Sequence, residues 1–254
     1  MKLDNKVAIV TGSSSGVGAA AALKLAQKNV SVVINYANSL KGAEQTASEI
    51  EAIGGRAIIV QADVSDNDQC VALVAKTIAE FGQLDILVNN AGTTTYVDHK
   101  KLDMLSDEIW QSTLGTNLMG PFYMTRAALP EMIIQGGGDV VMTSSIAGLT
   151  TNGSSMAYCA SKAALNSLTR TLAKAVGEHG VRVNAICPGL INGKWASEGW
   201  GESWPDVISF AEGASPLGKV ATPEDIADSL ISIITGTDLM TGQIITVDGG
   251  FTIN

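Results

Sequence analysis

The chain has 254 residues, a net charge of −9, 46% hydrophobic residues and 16% charged ones. That length and apolar content support one large α/β domain with a sizeable core and exclude wholesale disorder. The acidic balance excludes a nucleic-acid partner, which needs a basic surface, and disfavours an acidic protein partner. Cys70, Cys159 and Cys187 are odd in number and widely spaced. They fit neither a disulfide framework nor a zinc site, and they point to a reducing cytoplasm. His99 and His179 share no ligand cluster, so no catalytic metal is expected. Residues 1–6 are polar, without the apolar stretch of a signal peptide, and no apolar run reaches the roughly 18 residues of a membrane span, so no membrane partner is expected.

Val7-Ala-Ile-Val10 is a short apolar strand that enters Thr11-Gly-Ser-Ser-Ser-Gly-Val-Gly18, and an Ala- and Leu-rich helix follows to about Lys28. Gly12, Gly16 and Gly18 let the backbone turn tightly and approach a ligand, and the helix N-terminus beyond them attracts phosphate. The spacing is Gly-x-x-x-Gly-x-Gly, not the Gly-x-Gly-x-x-Gly of the general dinucleotide fingerprint. Residues 30–34 form the second strand. Tyr36 falls twenty residues after Gly16, where a ribose-binding acid stands in an NAD-specific unit. Its neighbours Asn35, Ala37, Asn38 and Ser39 are uncharged. Asn38, Ser39 and Ser14 can offer hydrogen bonds to a 2′-phosphate, with Lys41 nearby, so NADP(H) is favoured and NAD(H) is possible.

Residues 39–53 read as a helix, 56–61 as a strand leading to Ala62-Asp63-Val64, 66–81 as a helix, and 85–88 as a strand running into Asn89-Asn-Ala-Gly92. Residues 93–105 are polar and irregular. A long helical pattern spans about 107–135, with an interruption expected near Gly120-Pro121, just after Asn117. Residues 140–143 form a fifth strand that delivers Ser144-Ser145 at its carboxyl end, where open α/β sheets bind ligands.

The next helix opens with Tyr158-Cys-Ala-Ser-Lys162 and runs to about Glu178. Four residues separate Tyr158 from Lys162, which places both on one helix face. An ammonium beside a phenol favours the phenolate, so Lys162 is expected to lower the Tyr158 pKa and make it an acid–base group. Ser145 lies thirteen residues upstream and meets Tyr158 only if the fold joins strand end and helix. Residues 181–186 form a sixth strand before Cys187-Pro-Gly189. The stretch 190–218 carries Trp195, Trp200 and Trp204 and reads as a long loop, its aromatics facing either substrate or packing against the body or a neighbouring subunit. Thr222-Pro-Glu-Asp225 is a helix start. Residues 244–247 form a last strand. The alternation predicts one α/β domain over 1–254: a doubly wound parallel sheet of about seven strands with helices on both faces.

Together, Thr11-Gly-x-x-x-Gly-x-Gly18, Asp63, Asn89-Asn-Ala-Gly92, Asn117, Ser145, Tyr158-x-x-x-Lys162 and Pro188-Gly189 resemble the short-chain dehydrogenase/reductase family over essentially the whole chain, its ketone and 3-oxoacyl reductases most of all. Alcohol and sugar dehydrogenases of the family share these motifs. The resemblance implies a Rossmann-type domain, and hydride transfer between a nicotinamide and a ketone or secondary alcohol. Tyr158 would exchange the proton, Ser145 hold the oxygen, Lys162 bind the nicotinamide ribose and Asn117 hold a relay water. It also implies cofactor contacts at Gly12, Ser14, Gly16, Val17, Gly18, Tyr36, Asn38, Ser39, Asp63, Val64, Asn90, Ala91, Gly92, Tyr158, Lys162, Pro188, Gly189 and Ile191.

The family often has Pro-Gly-x-Ile-x-Thr. Here the run is Pro188-Gly-Leu-Ile-Asn-Gly193, with glycine in the threonine place, which leaves Asn192 or main-chain groups for the carboxamide contact. A homotetramer is expected, with Met119, Phe122, Met124 and Leu129 as apolar residues beyond what one sheet face should cover. Carrier-bound 3-oxoacyl substrates are disfavoured. Arg126, Arg170 and Lys174 are the only bases on the relevant helices besides Lys162, and Pro130 stands where carrier-protein reductases can have a base. A small-molecule ketone is the expected substrate. A non-catalytic nucleotide sensor on the same fold would have lost the Ser, Tyr and Lys set, and this chain keeps it.

Overall fold

Seven strands carry the apolar runs: β1 (Val7–Val10), β2 (Ser31–Tyr36), β3 (Ala57–Gln61), β4 (Ile86–Asn89), β5 (Gly138–Thr143), β6 (Val181–Pro188) and β7 (Ile244–Val247). In the computed structural model, which describes residues 1–253, they form one parallel sheet in the order β3-β2-β1-β4-β5-β6-β7. β1 and β4 are buried at every position, as expected of parallel strands covered on both faces.

One apolar layer joins the sheet to α1 (Gly16–Ala26), α2 (Leu40–Ala52) and the later helix α9 (Pro223–Thr235), with Leu25, Ile34, Ile50 and Leu230 at its centre. The other joins it to α3 (Asn67–Phe81), α5 (Gly120–Ile134) and α6 (Met156–Val176), with Leu73, Met124, Met132 and Leu165 buried. The strand order reverses beside β1, which has β2 on one side and β4 on the other. That switch point opens a crevice at the carboxyl edge of the sheet. The fold is a single-domain, Rossmann-type α/β fold.

Three local expectations are corrected. The long helix is not broken at Gly120-Pro121. α4 (Asp107–Leu114) passes through a π-helical turn, Gly115–Met119, directly into α5. Pro121 has no N–H to give the Asn117 carbonyl four residues earlier, and widening the turn accommodates that loss.

The stretch 190–218 is largely helical, holding α7 (Lys194–Trp200) and α8 (Trp204–Ala214). Pro205 occupies the first turn of α8, where its missing N–H costs nothing. Finally, Met124 is fully buried against the sheet, whereas Met119 and Ile134 are exposed.

Candidate active site

Three contacts close the thirteen-residue gap between Ser145 and Tyr158. The Ser144 amide donates to the Ile186 carbonyl at 2.8 Å, which fixes the end of β5 against β6. The Ser144 hydroxyl donates to the Lys162 carbonyl at 3.3 Å. Gly148 presses on α6 so closely that a Cβ there would stand 2.6 Å from the Lys162 carbonyl carbon. The start of α6 is set by Ser155, whose hydroxyl accepts from the Tyr158 amide at 3.2 Å. This cap places Tyr158 in the first turn and Lys162 one turn later.

Lys162 donates to the Thr143 carbonyl at 2.7 Å, and its ammonium lies 5.6 Å from the centroid of the Tyr158 ring. Burial pushes the Tyr158 phenol up to about 12; a hydrogen bond with Ser145 pulls it the other way, and nearby Tyr96, Cys159 and Cys187 add to the rise. Burial also pushes Lys162 down to about 8. The phenol pKa is therefore raised, not lowered as the Tyr-x-x-x-Lys spacing alone suggested. The ammonium spends a short hydrogen bond on Thr143, and desolvation of the phenolate outweighs it. A phenol so placed stays protonated at neutral pH and is poised to donate.

Asn117 sits in the π turn and is fully buried. Its amide nitrogen donates to the Thr93 carbonyl at 2.9 Å and the Ser161 hydroxyl at 3.1 Å, and its oxygen accepts from the Thr93 amide at 2.8 Å. Its side chain thus ties the segment after β4 to α6. A Cβ on Gly92 would lie 3.5 Å from the Asn117 side-chain oxygen and 3.9 Å from the Lys162 nitrogen, so these three residues converge.

The cofactor side is built on the glycine turn. Gly12 and Gly16 have φ of +63° and +56°, a region that favours glycine. A Cβ on Gly18 would overlap the Gly12 carbonyl and come within 2.6 Å of the Asn90 side chain, while the space beside Gly16 is open. Ser15 opens α1 without a side-chain cap, which leaves that helix N-terminus to an outside anion. A glycine cradle, an uncapped helix N-terminus and a crevice at the switch point fit a dinucleotide. The turn is held from beneath: the Thr11 hydroxyl accepts from the Asn90 and Ala91 amides at 2.9 and 3.0 Å, and the Asn90 side chain donates to the Thr11 carbonyl at 3.0 Å.

The remaining cofactor candidates divide. Asn38, Ser39 and Asp63 are exposed at the crevice side of the sheet, and Ser14 and Val17 flank the glycine turn half-buried. Ser39 caps α2 by accepting from the Gly42 amide at 3.3 Å. Asp63 accepts from the Ser65 amide and hydroxyl at 2.9 and 2.7 Å. Tyr36 and Val64 are buried. Tyr36 belongs to the core with Ala43 and Ala47, and Val64 packs against Gly120. The Tyr36 ring therefore does not stand in for a ribose-binding carboxylate; the exposed side chains of that turn begin at Ala37. Pro188 ends β6, the Gly189 amide donates to the Val247 carbonyl at 3.0 Å, and Ile191 bridges to Ala221. Gly193 is the N-cap of α7.

Two residues stand out that the motifs did not single out. Asn35 is buried at the end of β2; its side-chain oxygen accepts from the Gly12 amide at 3.2 Å, and its nitrogen donates to the Ala62 carbonyl at 3.0 Å. A lone amide at an inward strand position was its only signal. Tyr96, in the irregular stretch after Gly92, lies 5.4 Å from Trp200 and 6.5 Å from Trp195, ring centroid to centroid, and Trp195 lies 6.2 Å from Tyr158. No local pattern announces that meeting.

Among the described residues, no group of three or more His, Cys, Asp or Glu is placed to hold a metal, and no helix is long and apolar enough to cross a membrane. The profile of a family described as enoyl-(acyl carrier protein) reductase matches residues 12–252. The chain is 37% identical to an L-rhamnose 1-dehydrogenase (NAD(P)(+)) of Sphingomonas, over 99% of this chain and 98% of that one. It is also 37% identical to a 3-oxoacyl-[acyl-carrier-protein] reductase of Synechocystis, over 98% and 97%. A crystal structure assigned as a short-chain dehydrogenase/reductase from Burkholderia xenovorans superposes with a TM-score of 0.91 at 33% identity, covering 98% of each chain. With the Ser, Tyr and Lys set gathered at the carboxyl edge beside a glycine cradle, and with relatives matched end to end, this chain belongs to the short-chain dehydrogenase/reductase family of NAD(P)-dependent oxidoreductases acting on CH–OH groups.

Proposed function

We propose that this protein is an NADPH-preferring carbonyl reductase of a small-molecule ketone. The observation that carries the reading is the Ser145, Tyr158 and Lys162 cluster, with the Tyr158 ring 6.2 Å from Trp195 in an aromatic wall. The nicotinamide, when bound, supplies the hydride. Tyr158 gives its proton to the carbonyl oxygen as negative charge develops there, and the Ser145 hydroxyl donates a second hydrogen bond to that oxygen. Lys162 would hold the nicotinamide ribose and would reload the phenol with a proton. The Asn117 carbonyl, deprived of its helical donor by Pro121, holds the water that connects Lys162 to solvent. In the oxidative direction the relay runs in reverse, Tyr158 taking the alcohol proton as it passes its own to neutral Lys162.

NADPH preference rests on residues 35–39, which carry no carboxylate, and on exposed Asn38, Ser39 and Lys41. A small free ketone is favoured over a carrier-bound acyl group because the bases near the site entrance are few. Arg126 is occupied, bonding Asn67 at 2.6 Å and stacking on Phe122 and Tyr123. We infer a homotetramer from exposed Met119, Ile133 and Ile134 on the α4–α5 rod and from β7 as an open sheet edge. The free thiols Cys70, Cys159 and Cys187 suit a reducing cytoplasm. Incubation with NADPH and a panel of ketones, followed by nicotinamide absorbance, tests the reading; no oxidation of cofactor with any ketone overturns it.

A further inference from the structure

Tyr96 and α7 are locked together. Gly199 faces the Tyr96 ring so closely that a Cβ at that position would overlap it, with the Tyr96 hydroxyl 2.6 Å away. Trp200 meets the ring edge-on at 5.4 Å and Trp195 at a tilt of 57° and 6.5 Å. The chain of rings then continues from Trp195 to Tyr158 at 6.2 Å. Trp195 and Trp200 nonetheless remain 54% and 39% exposed, so the wall is not spent on the protein's own core. Large exposed aromatics in contiguous contact mark a ligand surface more often than isolated ones do.

The chemistry of the wall is apolar. Lys194 and Glu198, the charged residues of α7, are exposed and lie 3.6 Å from one another. Thr94, Ser154 and His99, on the segments beside Tyr96, have their polar groups engaged with protein. The Thr94 and Ser154 hydroxyls share a 2.6 Å hydrogen bond, and the His99 ring nitrogen pairs with the Gly153 carbonyl at 3.1 Å. A polyol would need several donors and acceptors here; a flat apolar group needs only ring faces.

We propose that Tyr96 is a specificity-determining residue of this site: with Trp195 and Trp200 it forms the wall beside Tyr158 that receives the planar, apolar substituent of an aryl ketone. This rests on the carbonyl reductase reading for the reaction, but binding tests it separately. The assignment also gives Gly199 a purpose, since any side chain there would push Tyr96 out of line.

The experiment compares wild type with Tyr96→Ala, Tyr96→Phe and Gly199→Ala. The substrates are acetophenone, a short aliphatic methyl ketone and, in the oxidative direction, L-rhamnose. Acetophenone binding to each protein is measured in parallel by calorimetry, and folding by thermal melting. Tyr96→Ala is expected to weaken acetophenone binding and raise its KM by about tenfold or more, while the aliphatic ketone and NADPH affinity change by less than about twofold. Tyr96→Phe is expected to behave as wild type, because the ring and not the hydroxyl forms the wall. Gly199→Ala keeps the Tyr96 side chain but displaces it, and is expected to reproduce the selective loss.

Acetophenone binding that depends on Tyr96, without turnover, overturns the reductase reading and leaves the wall assigned. Equal losses on both ketones, no loss in folded Tyr96→Ala, wild type that fails to bind acetophenone, or a wild-type preference for L-rhamnose overturns the proposal.

Discussion

The Lys162 ammonium donates a 2.7 Å hydrogen bond to the carbonyl of Thr143, the last residue of β5. This bond ties the helix that carries Tyr158 to the strand end that presents Ser145. It also directs the positive charge to a carbonyl, so that burial, not the ammonium, sets the phenol's high pKa. Lys162 is therefore a positioning element as well as the proton carrier of the proposed mechanism.

Replacing Tyr158 with Phe removes the proposed proton donor while preserving the ring that packs near Trp195. The expected result is a loss of roughly 10²–10⁴-fold in kcat, with NADPH affinity retained. Steady-state rates and fluorescence titration of NADPH check it. Near wild-type kcat would remove Tyr158 from the mechanism.

The pH profile should follow Lys162. Its folded-state pKa is pushed down from 10.5 to about 8, so the ammonium is present below that pH and is lost above it. Tyr158, at about 12, stays protonated throughout. The expected kcat/KM for ketone reduction is flat below about pH 8 and falls above it, a limb that reports the free enzyme. Lys162→Met should be much slower and lack this limb. A wild-type profile level to pH 10 would count against the assignment.

Cofactor choice is tested at Asn38, because Tyr36 is buried and a carboxylate placed there would damage the core. Asn38→Asp puts a negative charge at the exposed turn. NADPH kcat/KM is expected to fall by about tenfold relative to NADH. Should wild type already prefer NADH tenfold, residues 35–39 recognise something other than a 2′-phosphate.

Stability depends on a pair at the opposite edge of the sheet. Arg182 and Asp139, both buried, lie 2.6 Å apart, and Arg182 also donates to the carbonyls of Ile234, Thr237 and Met240. Arg182→Ala leaves Asp139 and those carbonyls without their donor. The expected cost is about 3–5 kcal/mol, read by denaturant unfolding, with activity kept at low temperature because the pair is remote from Tyr158. A change below 1 kcal/mol would show that water replaces the guanidinium readily.

Oligomeric state has a direct measurement. Light scattering at micromolar concentration should give four chains, and Ile134→Lys on the exposed end of α5 should shift the distribution toward smaller species. A stable wild-type monomer would overturn the tetramer.

Local chemistry settled much of this protein before any contact was known. Apolar runs of four to six residues alternating with helical periods determine a parallel sheet covered on both faces, because only that layering buries both kinds of surface. The glycine spacing after β1 and the Thr222 start of α9 were legible because caps and turns depend on residues adjacent in the chain. Distance and burial were not legible in this way. Ser145 reaches Tyr158, and Tyr96 reaches Trp195 and Trp200, only because the sheet order brings β4, β5 and β6 side by side. The Tyr158 pKa depended on how much water the fold excludes, which four-residue spacing does not encode. Tyr36 looked like a ribose contact by position, but the packing of α2 on β2 buried it. Most strands and helices are written in the local pattern, with α7 and α8 the exceptions, whereas which residues share a site, and in what dielectric, is decided by long-range packing.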